Sequence, residues 1–314
     1  MSQPFLTIWV ILVVIFSQSC ATQTPITDIL VKDSSSLPKS FKIDSVPFIE
    51  QADNHCGPAS LAMILKSKNI PIDYEQLTNQ IMTPEKKGSF STDIISTVRR
   101  QGLVPVRIND LKSLLTEISH RQPVMIFQNL GLSWYPYWHY AVALGYDLSG
   151  PDMILHSGKE KFHTTDMRFF ERSWTLADSW GLIVLLPGEL AITADDLEHV
   201  AGISGLEALG KFNEAKLSYA AVLKRWPRSL PALVGMANVL YETKNYKGST
   251  VFLSLATEFH PLSEIAWHNL AAAQGAYGEL KNAKKSALRA LSLVGKNQTI
   301  AYQNSLYKWL GEDH

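Results

Sequence analysis

Cysteine is scarce in this chain: 314 residues hold only Cys20 and Cys56. A framework of disulfides is excluded, and without a His-x-x-His pair near either cysteine a structural zinc site is not expected. Charge of one sign is lacking as well. Lys plus Arg and Asp plus Glu number 29 each, so no overall field draws the chain to nucleic acid or acidic lipid. No Gly-rich phosphate loop and no basic aromatic stripe occurs, so neither an organic cofactor nor a nucleic-acid partner is expected. No apolar run reaches the roughly 20 residues of a membrane span. What is present is a hydrophobic content of 46% with 18% charged residues, enough to bury sizeable cores, and a length that suits about two domains.

The run from Phe5 to Phe16 has the length of a secretory signal's apolar region. It stops at "SQSC", which resembles the lipidation box of bacterial lipoproteins, with Cys20 as the acylated residue. Ser17 stands where that box usually has a Leu-like residue, and no Lys or Arg precedes the run. Residues 1–20 are thus expected to be a signal peptide with lipidation at Cys20, a plainly cleaved signal or an uncleaved anchor being the alternatives. The lipidated form implies an exported protein in the bacterial cell envelope, membrane-anchored and facing the periplasm. Either processed form leaves Cys56 without an intramolecular partner. Residues 21–40, rich in Ser, Thr and Pro, read as a flexible tether with a short strand at "ITDILV".

From residue 41 to 187 helical periodicity comes first, at 58–68, 74–81, 91–101 and 111–119. Strand patterns follow in "PVMIFQNL", "HYAVALGYD", "DMILHSG" and "WGLIVLLP", the second and third joined by the turn "DLSGPD". "TTDMRFFERSW" reads as an amphipathic helix with Met167, Phe170 and Trp174 inward. This is an α+β pattern. From 193 to 310 the pattern is helical and repeats: Pro227 and Pro261 stand 34 residues apart, as do Ala215, Ser249 and Ala283, and Val222, Ala256 and Ala290. His199, Leu233 and Trp267 share another slot, and Ile203, Ala237 and Ala271 a small-residue one. The interval resembles the tetratricopeptide repeat. Three units are expected, with "QTIAYQNSLYKWLG" as capping helix. His199 and Gly202 depart from the repeat's usual aromatic and Leu. Repeats of this kind imply a protein partner.

"QADNHCGPASLAMILK" places a thiol at the entry to an apolar helix, with Pro58 suited to its first turn. Cys56 there is a buried small hydrophobe, a metal ligand or a nucleophile. A helix N-terminus and a cationic neighbour lower a thiol's pKa from about 8.5 into the range of about 3.5 to 7.5, and Gly57 would let a substrate backbone approach the sulfur. His139, opening "HYAVALGYD" after the aromatic "GLSWYPYW", is the expected base, with His55 the local alternative. Trp134, Tyr135, Tyr137, Trp138 and Tyr140 read either as cleft wall or as packing.

"QADNHCGPAS" followed some eighty residues later by "HYAVALGYD" resembles the papain-like leader peptidases of bacteriocin exporters, which cut after a double glycine, and their stand-alone relatives. The resemblance covers about 41–187 and implies a papain-like cysteine peptidase domain acting on a peptide or protein. In that family the Gln donates to the oxyanion, which assigns this role to Gln51. Cys56 would attack the carbonyl and His139 would shuttle the proton. The family's third residue is an Asp about sixteen positions beyond the His; here "MILHSGKE" offers His156 or Ser157, His156 being the one assigned, with Asp147 and Asp166 as acidic alternatives. The same Cys-His pair suits a cell-wall amidase or acyl transferase. A domain that holds a peptide without cutting it is the non-enzymatic alternative.

Overall fold

Acidic residues at the right offset start three of the six described helices of the first domain. In the computed structural model, which describes residues 25–33, 35–83 and 88–293, Asp73 accepts from Glu75 N and Gln76 N at 3.0 and 3.1 Å and opens α3 (Tyr74–Ile81). Asp110 caps α5 (Leu111–Ser119) and Asp166 caps α6 (Met167–Thr175) in the same way. α4 spans Ser91–Arg100. α2 (Cys56–Ser67) has no side-chain cap, and Gly57 through Leu65 are all buried, as expected of a helix apolar on every side. It packs on β5 (Val124–Asn129) and β6 (Trp138–Asp147) with α3 and α4 against it.

The sheet runs β4-β9-β5-β6-β7-β8, with β1 (Ser40–Lys42) added to β6. β4 is Val104–Ile108, β7 Asp152–Ser157, β8 Glu160–Asp166 and β9 Gly181–Leu185. All pairings are antiparallel. The short hairpin β2 (Met82–Thr83) and β3 (Gly88–Ser89) stands apart. The expected β6–β7 hairpin is present, with Asp147 opposite Asp152. β6 carries a bulge at Leu144, where the β7 register steps by one residue. Met167, Phe170 and Trp174 are buried as expected.

Residues 26–32 are not a strand in a flexible tether. They form α1 (Ile26–Lys32), whose N-terminal amides are capped from afar. Glu171 on α6 accepts from Ile26 N at 2.7 Å, Thr27 N at 2.9 Å and Thr27 Oγ1 at 2.6 Å. Leu30 and Leu37 enter the core. The expected signal at 1–20, Cys20 and the capping helix at 298–311 lie outside the described residues.

Six helices follow: α7 (Asp196–Ala208), α8 (Phe212–Arg225), α9 (Leu230–Glu242), α10 (Tyr246–Phe259), α11 (Glu264–Tyr277) and α12 (Leu280–Leu293). Most residues at the 34-residue interval are buried, among them Ala215, Ser249 and Ala283, whereas Pro227 and Pro261 are exposed and Trp267 is half-buried. The departures at His199 and Gly202 have a physical cause, because α7 lies against edge strand β4. A Cβ on Gly202 would come 2.4 Å from Pro105 O and 2.9 Å from Val104 Cγ1. His199 accepts from Ala191 N at Nε2 (3.0 Å) and donates from Nδ1 to Asp195 O (2.5 Å), closing the linker. Glu117 holds Thr193, and Arg225 holds Ala191 O and Ile192 O. One hydrophobic cluster accordingly runs from the sheet into α7, α8 and α9.

Candidate active site

β6 outruns β7. The last β7 pair is Val142 with His156, so on that side Trp138 through Ala141 have no strand partner, while β5 covers their other side. The chain before α2 enters this gap. Gln51 Nε2 donates to Tyr140 O at 3.4 Å and to Ser60 Oγ at 3.3 Å. Its Oε1 accepts from Gly158 N at 3.0 Å, and its own N–H donates to Gly158 O at 3.1 Å. Cys56 follows as the first residue of α2 and is partly buried. With no capping side chain and a proline third in the helix, the N–H groups of Cys56 and Gly57 have no intrahelical carbonyl and are directed at the sulfur.

A cavity of about 760 Å³ opens here, with Gln51, Cys56, Ser89 and His139 among its walls. Tyr137, Trp138 and Tyr140 also line it, and Tyr140 in addition stacks on Phe127 at 4.3 Å and meets Trp180 edge-on. The aromatic segment is therefore part wall, part packing. His55 is the residue capping α2 and is not part of the cavity wall. Gly57 has a different reason from the one expected: a Cβ there would sit 2.6 Å from Ser89 Oγ, so its bareness admits the β3 hairpin against α2 rather than a substrate.

His139 Nε2 meets Ser157 Oγ at 2.8 Å, which leaves Nδ1 as the ring nitrogen for the cavity. His156 does not take this place. It is the cross-strand partner of Val142, which puts it on the sheet face opposite to His139. There it is fully buried between Phe48 and Phe162, with Nδ1 accepting from Phe162 N and Nε2 donating to Val46 O, both at 3.1 Å. Neither acidic alternative reaches His139 either. Asp147 holds the turn through Ser149 N and Asp166 caps α6.

The structure brings Cys56, His139 and Gln51 to one cavity without a hydrogen bond between sulfur and imidazole. Burial pushes the Cys56 thiol above its ordinary range, with the backbone of Tyr140 and Gly57 acting the other way. Burial also holds His139 down to a pKa of about 4, His163 adding repulsion. Desolvation is the largest influence on both groups, and it favours the uncharged form of each.

Residues 43–180 match the Peptidase_C39 like family and residues 206–273 the tetratricopeptide repeat. The chain thus carries a C39-like peptidase domain followed by tetratricopeptide repeats, as its motifs implied. Among solved structures, a Bacillus anthracis protein described as a C39-like peptidase shares 17% identity over 47% of this chain and 98% of its own, with a TM-score of 0.41. A double glycine motif protease from an AMS/PCAT transporter, in complex with its leader peptide, shares 22% over 46% of this chain and 94% of its own, TM-score 0.36. The first TPR of Spaghetti (RPAP3) bound to an HSP90 peptide shares 22% over 37% and 90%, TM-score 0.34. No curated protein matched the chain.

Proposed function

We propose that the chain is a thiol peptidase, with Cys56 as nucleophile, His139 as general base and acid, and repeats that hold a protein partner. The observation that carries this is the Cys56–His139 cavity, in which Nε2 of the imidazole is anchored and Nδ1 is left for proton transfer. As the sulfur attacks the scissile carbonyl, its proton passes to Nδ1 and the carbonyl π pair moves to oxygen. The oxyanion is met by the N–H groups of Cys56 and Gly57 and by Gln51 Nε2, whose present acceptors at 3.3 and 3.4 Å are long enough to be exchanged. One such donor is worth roughly 10²–10³ in rate. Nδ1–H then protonates the leaving amine as the C–N bond breaks. Water, deprotonated by the same nitrogen, hydrolyses the thioester and frees the sulfur.

The apolar run from Phe5 to Phe16, followed by Cys20, supports an exported, membrane-tethered form of this enzyme in the cell envelope. No helix of the described residues is long and apolar enough to cross a membrane, and α1 fixes the chain from residue 26 onward. A second reading, a domain that holds peptides without cutting them, is favoured by one observation: the hydrogen-bond partner of His139 is the hydroxyl of Ser157 and not a carboxylate.

Digestion of a peptide library by the purified protein, read by mass spectrometry as new termini, separates these. Wild type is expected to create termini that Cys56→Ala and His139→Ala do not. A library bound equally by wild type and Cys56→Ala, with no new termini in either, would replace the peptidase with the binding domain. Cleavage of wall-fragment amides alone would move the activity to an amidase.

A further inference from the structure

We infer that Ser157 is the positioning residue of this site, fixing His139 as its Nε2–H tautomer so that the Nδ1 lone pair faces the cavity; the inference rests on the catalytic reading above. Three observations carry it. The Nε2 to Oγ distance is 2.8 Å, a full hydrogen bond. The β6 bulge at Leu144 is what brings Ser157 to the face of His139, by stepping the β7 register one residue. And the turn that follows Ser157 also holds the oxyanion donor, since Gly158 bonds Gln51 through both its N–H and its carbonyl. One β-turn therefore sets the base on one side and the amide on the other.

A serine differs from a carboxylate in this place. It orients the ring but adds no negative charge to stabilise an imidazolium. The charged or titratable groups around His139 are Cys56 on α2, Asp53 before it, Lys159 in the turn, Tyr137 and Tyr140 on either side of it in the chain and His163 on β8. None of them hydrogen-bonds to the imidazole. The site is then a general-base pair in which the proton leaves sulfur only as the bond to substrate forms.

The test reads the imidazole itself, without substrate, by long-range ¹H–¹⁵N NMR, the His139 signals being assigned by their loss in His139→Ala. Wild type should show Nε2–H. Ser157→Ala should lose that preference and lower kcat by about tenfold or more with KM within twofold, while Ser157→Thr, which keeps the hydroxyl, restores both. Ser157→Asp should raise the His139 midpoint by about one to three pH units, as an adjacent carboxylate does. An unchanged tautomer in Ser157→Ala together with an unchanged midpoint in Ser157→Asp would overturn the inference. If Ser157→Asp does not fold, the tautomer in Ser157→Ala decides. Peptide hydrolysis that fails in wild type while these spectra behave as stated would sink the catalytic reading and leave the positioning role standing.

Discussion

In the proposed function His139 would act through the ring nitrogen not bonded to Ser157, and its burial would decide when that nitrogen is available. With a pKa of about 4 in the folded chain, Nδ1 stays a base well below the ordinary imidazole value of 6.5. Peptide hydrolysis should therefore hold its rate down to about pH 5 and fall only as the pH passes through about 4, as a kcat/KM profile will show. Stability carries the linked effect. The unfolded chain takes up this proton from 6.5 downward and the folded chain does not. The contribution is complete above about 6.5 and is lost between there and about 4. A His139→Gln chain should lose less stability over that interval in urea titrations at pH 7 and 4.5. At this level the sequence was most readable where residue type is itself the chemistry: a cysteine at a helix start and a histidine at a strand start. The choice between His156 and Ser157 was hidden by geometry. Counting back from the Asp147–Asp152 turn without a bulge would set His156 opposite Ala143, on the face of His139; the extra residue at Leu144 reverses that parity.

Helices whose caps lie within their own segment were legible, α3, α5 and α6 among them, because an acidic residue and an apolar period announce each start. α1 was not. Its cap is Glu171, 145 residues away from Ile26, and no local pattern can announce such a partner. β4 was hidden by Pro105, tolerable because this strand is at the sheet edge, and β8 by a largely exposed, polar pattern. The departures at His199 and Gly202 look like noise in the repeat and turn out to mark where α7 meets β4. Gly202→Ala should accordingly push α7 off Pro105, where backbone cannot yield. The expected cost is that of overpacking, about 1–3 kcal/mol, with faster proteolysis in the linker at 186–195. A thermal melt with limited digestion checks this; an unchanged melting temperature and digestion pattern would mean that the contact does not hold the two domains.

Taken together, the two domains share one core, and the repeats continue from the edge of the sheet that carries the site. A partner gripped by α7 to α12 would be held by the same body that positions Cys56, and under the proposed function the fusion would bring a chosen protein to the cavity. Reading this from sequence alone was possible for the presence and order of the domains, since a 34-residue period and a Cys-Gly-Pro helix start are local signals. The docking was not, because it depends on which surfaces meet. The most direct measurement is the mass of the protein quenched in acid during turnover of a cleaved peptide. The account predicts a thioester adduct on Cys56 equal to the acyl half of the substrate, sensitive to hydroxylamine and absent in Cys56→Ala; turnover that continues with Cys56 alkylated and no adduct on the chain would contradict it.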